Sequence, residues 1–167
     1  MNENPMRQIR IEKVTLNIGC GDDKQKIEKA QKLLEKITQS KPMVTKARKR
    51  STFNIPKGKP LGVKVTLRKD KAEQFFNSVL KAFDKVNANQ IDMDGNINFG
   101  VKEYIDLPSV KYSPEIGMFG MDVAVTLERP GYHVKRKRVR KAIIGKKHKI
   151  NKEDAINWLK QRGVVVE

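Results

Sequence analysis

Lys64, Thr66 and Arg68 recur at every second position, and Leu61, Val63, Val65 and Leu67 alternate with them. Successive side chains of a strand point to opposite faces, so this spacing predicts a strand with one apolar face. The other face offers two cations and a hydroxyl to whatever lies outside. Upstream, Lys46, Arg48, Arg50 and Thr52 share one parity and predict a partner strand. The intervening loop, Asn54 to Lys59 (NIPKGK), has Pro and Gly where a turn needs them. Residues 41–68 therefore read as a hairpin whose outer face binds a polyanion.

The charge distribution supports that chemistry. The chain carries 36 Lys/Arg against 19 Asp/Glu, a formal charge of +17. From Lys36 to Lys69 there are 11 cations and no acid, and from Arg129 to Lys152 again 11 and no acid. Elsewhere, 14 cations face all 19 acids, so the basicity is segregated as a binding footprint would be. Nucleic acid is the best match. Cations at Lys41, Lys46, Arg48, Arg50, Lys64 and Arg68, with Arg136 and Arg138 in the second block, can neutralise phosphates and release counterions. Thr15, Asn17, Thr52 and Thr66 are small polar groups able to approach riboses and 2′-hydroxyls. Aromatics are few on the outer faces, which favours structured RNA over stacked single strands.

Other chemistry is poorly supported. Gly19-x-Gly21 follows a predicted strand, but Lys24 stands where a dinucleotide loop needs its third glycine. Asp92, Asp94, Asn96, Asn98 and Glu103 have calcium-loop spacing, yet Gly95 is misplaced and Ile97 replaces the sharp-turn glycine. His133 and His148 have no cysteine pair nearby, which argues against zinc. Cys20 has no identifiable histidine partner for nucleophilic work. No enzyme, metal or cofactor is expected. A membrane-surface role for residues 132–149 is disfavoured, because that block has few bulky apolar residues to insert. A single cysteine fits a reducing compartment, and no apolar run approaches a spanning helix, so the expected location is the cytosol.

These side chains need a scaffold, and 167 residues suffice for one domain with its own core. A first strand over 9–18 carries Val14, Leu16 and Ile18 on one side and Lys13, Thr15 and Asn17 on the other. Asp22 or Asp23 caps a helix with Ile27, Ala30, Leu34 and Ile37 in one stripe. Asp70 begins a second helix whose apolar face runs from Ala72 through Phe75, Phe76, Val79, Leu80 and Phe83 to Val86. Short strands are predicted at 100–105 and 119–127, with a long loop over 107–117. The basic block 132–149 has too few apolar residues to bury itself and is expected along a partner. Asn151 caps a short last helix containing Ala155, Ile156, Trp158 and Leu159, and Gly163 stops it.

Several stretches taken together resemble the L-five family of large-subunit ribosomal proteins, which carry 5S rRNA in the central protuberance. They are KVTLNIGCGDD (13–23), SKPMVTKARKRS (40–51), FNIPKGKPLGVKVTLR (53–68), GVKEYIDLP (100–108), MDVAVTLERPGYHVKRKR (121–138) and IGKKHKINKEDAINWL (144–159). The C-terminal portion is similar to the archaeal and eukaryotic branch. The resemblance implies a single-domain α+β fold over 1–167: a mainly antiparallel sheet, helices backing one face, and an exposed face that grips RNA. On that face it implies 5S rRNA contacts at Asn17, Thr66 and the Lys46-Ala47-Arg48 run. Where many bacterial members have Gln before Lys-Pro, this chain has the shorter Ser40. The tip matching Asn54 to Leu61, with Lys57 and Lys59 flanking Gly58, would reach the peptidyl-site tRNA. The basic block 129–152 would lie against large-subunit rRNA or a neighbouring ribosomal protein. The implied role is a cytoplasmic, ribosome-bound structural protein; the alternative is a free-standing RNA chaperone that binds polyanions generically.

Overall fold

The computed structural model describes residues 4–50, 55–81, 85–107 and 110–166. Five strands form one sheet in the order β2-β3-β1-β6-β5, every neighbouring pair antiparallel. They are β1 (Arg10–Gly19), β2 (Met43–Lys46), β3 (Pro60–Leu67), β5 (Ile97–Val101) and β6 (Met121–Glu128). Two short strands, β4 (Lys85–Val86) and β7 (Val165–Val166), pair in parallel apart from the main sheet. The helices are α1 (Lys24–Thr38), α2 (Asp70–Leu80), the single turn α3 (His133–Arg136) and α4 (Lys152–Gln161). The architecture is α+β with a mainly antiparallel sheet, as the resemblance implies.

Alternation decides which side of the sheet is covered. Val14, Leu16 and Ile18 of β1, Val63, Val65 and Leu67 of β3, and Met121, Val123, Val125 and Leu127 of β6 are all buried. Their registers put them on one face, since Val14 pairs with both Leu67 and Val125 and Leu16 with both Val65 and Val123. α1 packs on β3 and α2 on β1. α1 contributes Ile27, Ala30, Leu33 and Leu34, and α2 contributes Ala72, Phe76 and Val79. Burying one large apolar side chain is worth about 1.5–3 kcal/mol, so this double layer holds the sheet rigid while its other face stays open.

The helix ends follow local chemistry. Asp23 caps α1, its carboxylate accepting from the Gln25 and Lys26 N–H groups at 2.9 and 3.3 Å. A reciprocal box between Asn151 and Asp154 starts α4, and Gly163 beyond it takes φ +81°. Trp158 of α4 stacks on Phe76 at 5.7 Å between centroids, and its Nε1 donates to the Ile9 carbonyl at 3.2 Å. The C-terminal helix is thereby fixed to the same core.

Three expectations require correction. The partner strand through Lys46, Arg48 and Arg50 is not formed: β2 ends at Lys46. Met43 and Thr45, opposite Lys64 and Gly62, are the residues that face outward. The register shifts between Thr45 and Lys46, so one parity cannot run on to Arg50. The second helix stops at Leu80, and Val86 belongs to β4; Phe83 and Thr52 lie outside the described residues. The strand expected at 100–105 begins three residues earlier, at Ile97, and ends at Val101, beyond which Tyr104–Asp106 form a 3₁₀ turn.

Candidate nucleic-acid interface

On the uncovered face, polar side chains stand in rows across the strands. Cross-strand partners point to the same side, so one row runs Met43, Lys64, Asn17, Asp122, Gly100. The adjacent row is Thr66, Thr15, Ala124, Asn98. The expected contacts Thr15, Asn17, Lys64 and Thr66 thus form one contiguous patch on β1 and β3. Thr15, Asn17 and Lys64 are half-buried and Thr66 is exposed. Short hydroxyl and amide groups between longer cations let a backbone approach the sheet closely, which flexible lysines alone would prevent. Gly62 keeps the hairpin close to β1: a Cβ there would lie 2.5 Å from the Ile18 carbonyl oxygen and 3.2 Å from Thr45 Oγ1.

At the other end of β1, two acids gather the cations. A bulge between Ile11 and Lys13 makes Glu12 the extra residue of the strand. The Glu12 side chain is only 11% exposed, yet it meets Arg136 at 2.5 Å, Arg68 at 3.5 Å and Lys13 at 3.8 Å. Glu128, opposite Arg10 across the strands, pairs with Arg10 at 3.0 Å and with Arg136. Two carboxylates therefore hold four cations at the rim of the patch. Arg68 and Arg136, expected to contact RNA, are engaged inside the protein while remaining half-exposed on their outer sides.

The other expected contacts are spread along the basic hairpin. Lys41 precedes β2 and Lys46 ends it; Arg48 and Arg50 follow, both exposed. The hairpin is closed by the Ala47 N–H donating to the Lys59 carbonyl at 2.8 Å and the Gly58 N–H to the Ala47 carbonyl at 2.9 Å. Gly58 sits at φ +89°, a conformation that favours glycine. Lys57 is exposed at the tip, whereas Lys59 ion-pairs with Asp22 in the β1–α1 turn. Asn54 lies outside the described residues. Arg138 is exposed beyond α3.

The basic block docks onto its own domain instead of standing free. The Tyr132 hydroxyl donates to the His148 carbonyl at 3.2 Å and accepts from the Ile150 N–H at 3.0 Å. Burial pushes its pKa up from the ordinary 10.0. Arg129 reaches the Lys149 carbonyl at 3.3 Å and Asp154 at 3.0 Å. The Cys20 thiol is also pushed up, by burial, and donates to the carbonyls of Ile18 and Lys26. Among the described residues, no group of three or more His, Cys, Asp or Glu side chains could hold a metal. No helix there is long and apolar enough to cross a membrane.

Sequence reasoning passed over several residues of this face. Met43, 63% exposed, stands beside Lys64, and Thr45, Asp122, Thr126 and Asn98 extend the rows. Asp122 lies on the outward side of β6, and only the strand order brings it beside Asn17. The sequence carries no local signal for that neighbourhood.

Two family models cover most of the chain: ribosomal protein L5 matches residues 4–55, and the ribosomal L5P family C-terminus matches residues 60–158. The large ribosomal subunit protein uL5 of Sulfurisphaera tokodaii is 49% identical, over 95% of this chain and 91% of the relative. Those of Nanoarchaeum equitans and Archaeoglobus fulgidus are 47% and 44% identical, over 95% and 99% of this chain and 95% and 94% of theirs. With family models along both halves and archaeal relatives along nearly its whole length, the chain belongs to the ribosomal protein L5 family, whose members are structural proteins of the ribosome and not enzymes.

Proposed function

We propose that this protein docks folded 5S rRNA on the open face of its sheet and touches the peptidyl-site tRNA with the tip of its hairpin. As a family member it is a structural constituent of the large subunit in the cytoplasmic ribosome, with ribosomal RNA and ribosomal proteins as partners. The observation that carries the finer reading is the pairing of Asn17 with Lys64 and of Thr15 with Thr66 on adjacent strands. Cations and short polar groups interleave there on a surface backed by packed helices. Such a surface suits an RNA backbone read by shape and 2′-hydroxyls. At the hairpin tip, Lys57 is exposed and can meet a tRNA phosphate, while the Lys59–Asp22 pair fixes the base of the tip.

Affinity for folded 5S rRNA against a tRNA competitor, across a salt series, tests this. With roughly 6–10 phosphate contacts, affinity falls about 10³–10⁵-fold between 50 and 200 mM salt. Asn17→Ala with Thr66→Ala should remove the preference for 5S rRNA, and Lys57→Ala should keep it. Equal binding of both RNAs, with the sheet variant behaving as wild type, would make the protein a generic polyanion binder.

A further inference from the structure

A cleft of about 380 Å³ opens where the outer face of the sheet meets the docked basic block. Thr126 and Lys13, which pair across β6 and β1, form its sheet side, so it adjoins the Thr15–Thr66 patch. Its volume falls in the range of small-molecule sites, roughly 300–1,000 Å³. The lining sorts into three chemistries. Tyr132, Ile143, Ile144 and Ile150 are apolar or aromatic, and Ile143 is 92% exposed. Lys135 and Lys149 add ammonium groups that have no acid partner among the described residues. Asp94 and Asn96 add a carboxylate and an amide. Glu12 also lines the cleft, but its charge is already held by Arg136, Arg68 and Lys13.

We infer that this cleft receives one unstacked nucleotide of the bound RNA. The inference rests on the sheet-face reading above and adds a specific subsite to it. A base needs an apolar surface for its faces and hydrogen-bonding groups for its edge; its phosphate needs cations. All three stand around one cavity here. An acidic peptide would find Asp94 repelling it, and a bare anion would leave Ile143 and Ile144 in water. Asp94 only accepts hydrogen bonds, which favours a base presenting amino and imino donors. Guanine offers adjacent N1–H and N2–H groups, whereas uracil offers a single N3–H.

Methyl NMR of the full chain, labelled at isoleucine and titrated with GMP, UMP or inorganic phosphate, tests the assignment. GMP should shift Ile143, Ile144 and Ile150 saturably and leave Ile37 and Ile105 unmoved. UMP should bind at least about fivefold more weakly, the low end of one bidentate base contact. Asp94→Asn should narrow that gap, and Ile143→Ala, which removes aliphatic surface the base would cover, should weaken GMP about fivefold. The same three methyls responding equally to inorganic phosphate, or no saturable response to GMP, overturns the proposal. A second arm measures 5S rRNA affinity. If Ile143→Ala and Asp94→Asn leave it unchanged while Asn17→Ala with Thr66→Ala lowers it, the cleft assignment falls and the sheet reading stands. If none of these variants lowers it, both fall.

Discussion

Glu12→Gln should make the protein less stable and a better RNA binder. The Glu12 carboxylate sits in the β1 bulge, nearly buried, with Arg136, Arg68 and Lys13 around it. The Arg136 and Arg68 side chains are 42% and 55% exposed, so solvent screens both pairs. Three screened pairs at up to about 1 kcal/mol each, with the amide still accepting one hydrogen bond, give a stability loss of about 1–2 kcal/mol. On the RNA side, the Arg68 guanidinium is released toward the phosphates, while Arg136 keeps its pair with Glu128. Each new phosphate contact steepens the slope of log K against log salt by about 0.7–0.9, so the slope should grow by about 1. Removing one negative charge about 8 Å from a phosphate adds roughly 0.5 kcal/mol in water, and the combined gain at low salt is about tenfold. Fluorescence anisotropy with 5S rRNA across a salt series reads the affinity and slope, and thermal melting by circular dichroism reads the stability. An unchanged slope with weaker binding would refute the reasoning. It would mean that Glu12 presents Arg136 and Arg68 to the RNA instead of competing for them.

Two further substitutions test the scaffold. Burial raises the Tyr132 pKa above 10.0, so the folded state keeps a proton that the unfolded chain loses; this contribution is full below about pH 10 and is lost as pH rises through the raised value. Tyr132→Phe should cost about 1–3 kcal/mol near neutral pH, by unpairing the His148 carbonyl and Ile150 N–H, and its melting temperature should fall less steeply than wild type above about pH 10. Parallel alkaline limbs in the two proteins would sink that assignment. Gly62→Ala forces a Cβ against the Ile18 carbonyl and should cost about 1–3 kcal/mol, as overpacking does. It should also weaken 5S rRNA binding, because β1 and β3 carry the patch between them; a variant as stable as wild type would show that the strands can separate freely there.

The strands that position the patch were legible because one side of each had to be apolar. In β1, β3 and β6 the alternation of Val, Leu, Ile and Met is nearly unbroken, and each became a core strand with its polar side outward. β2 misled because it is an edge strand of four residues, with little buried side chain to fix its parity. Its cations at Lys46, Arg48 and Arg50 have spacing that suggests a strand, but charges spaced by two need no strand to carry them. The end of α2 was missed for a related reason. Val86 continues a helical period on paper, yet its apolar partner is β7, some eighty residues later in the chain.

The site divides along the same line. The outward placement of Thr15, Asn17, Lys64 and Thr66 could be read from the sequence because each depends only on the parity of its own strand; the antiparallel register then brought them together. What escaped was everything that depends on distant pairing. Composition made the block 129–152 look like an arm waiting for a partner, with 11 cations and no acid of its own. Its anchors lie elsewhere: Glu12 in the first strand receives Arg136, and Asp154 in the last helix receives Arg129. Near-buried acids scattered through the chain were thus the counterpart of the two acid-free blocks. A charge count reads such acids as dilution of the basic footprint, whereas in the fold Glu12 and Glu128 decide which arginines are held at its rim. On the proposed reading, the exposed sides of those arginines join Lys64, the hairpin cations Lys41, Lys46, Arg48, Arg50 and Lys57, and Arg138 in facing the RNA. The footprint then ends at a rim that the fold orders, where composition alone suggests a loose arm.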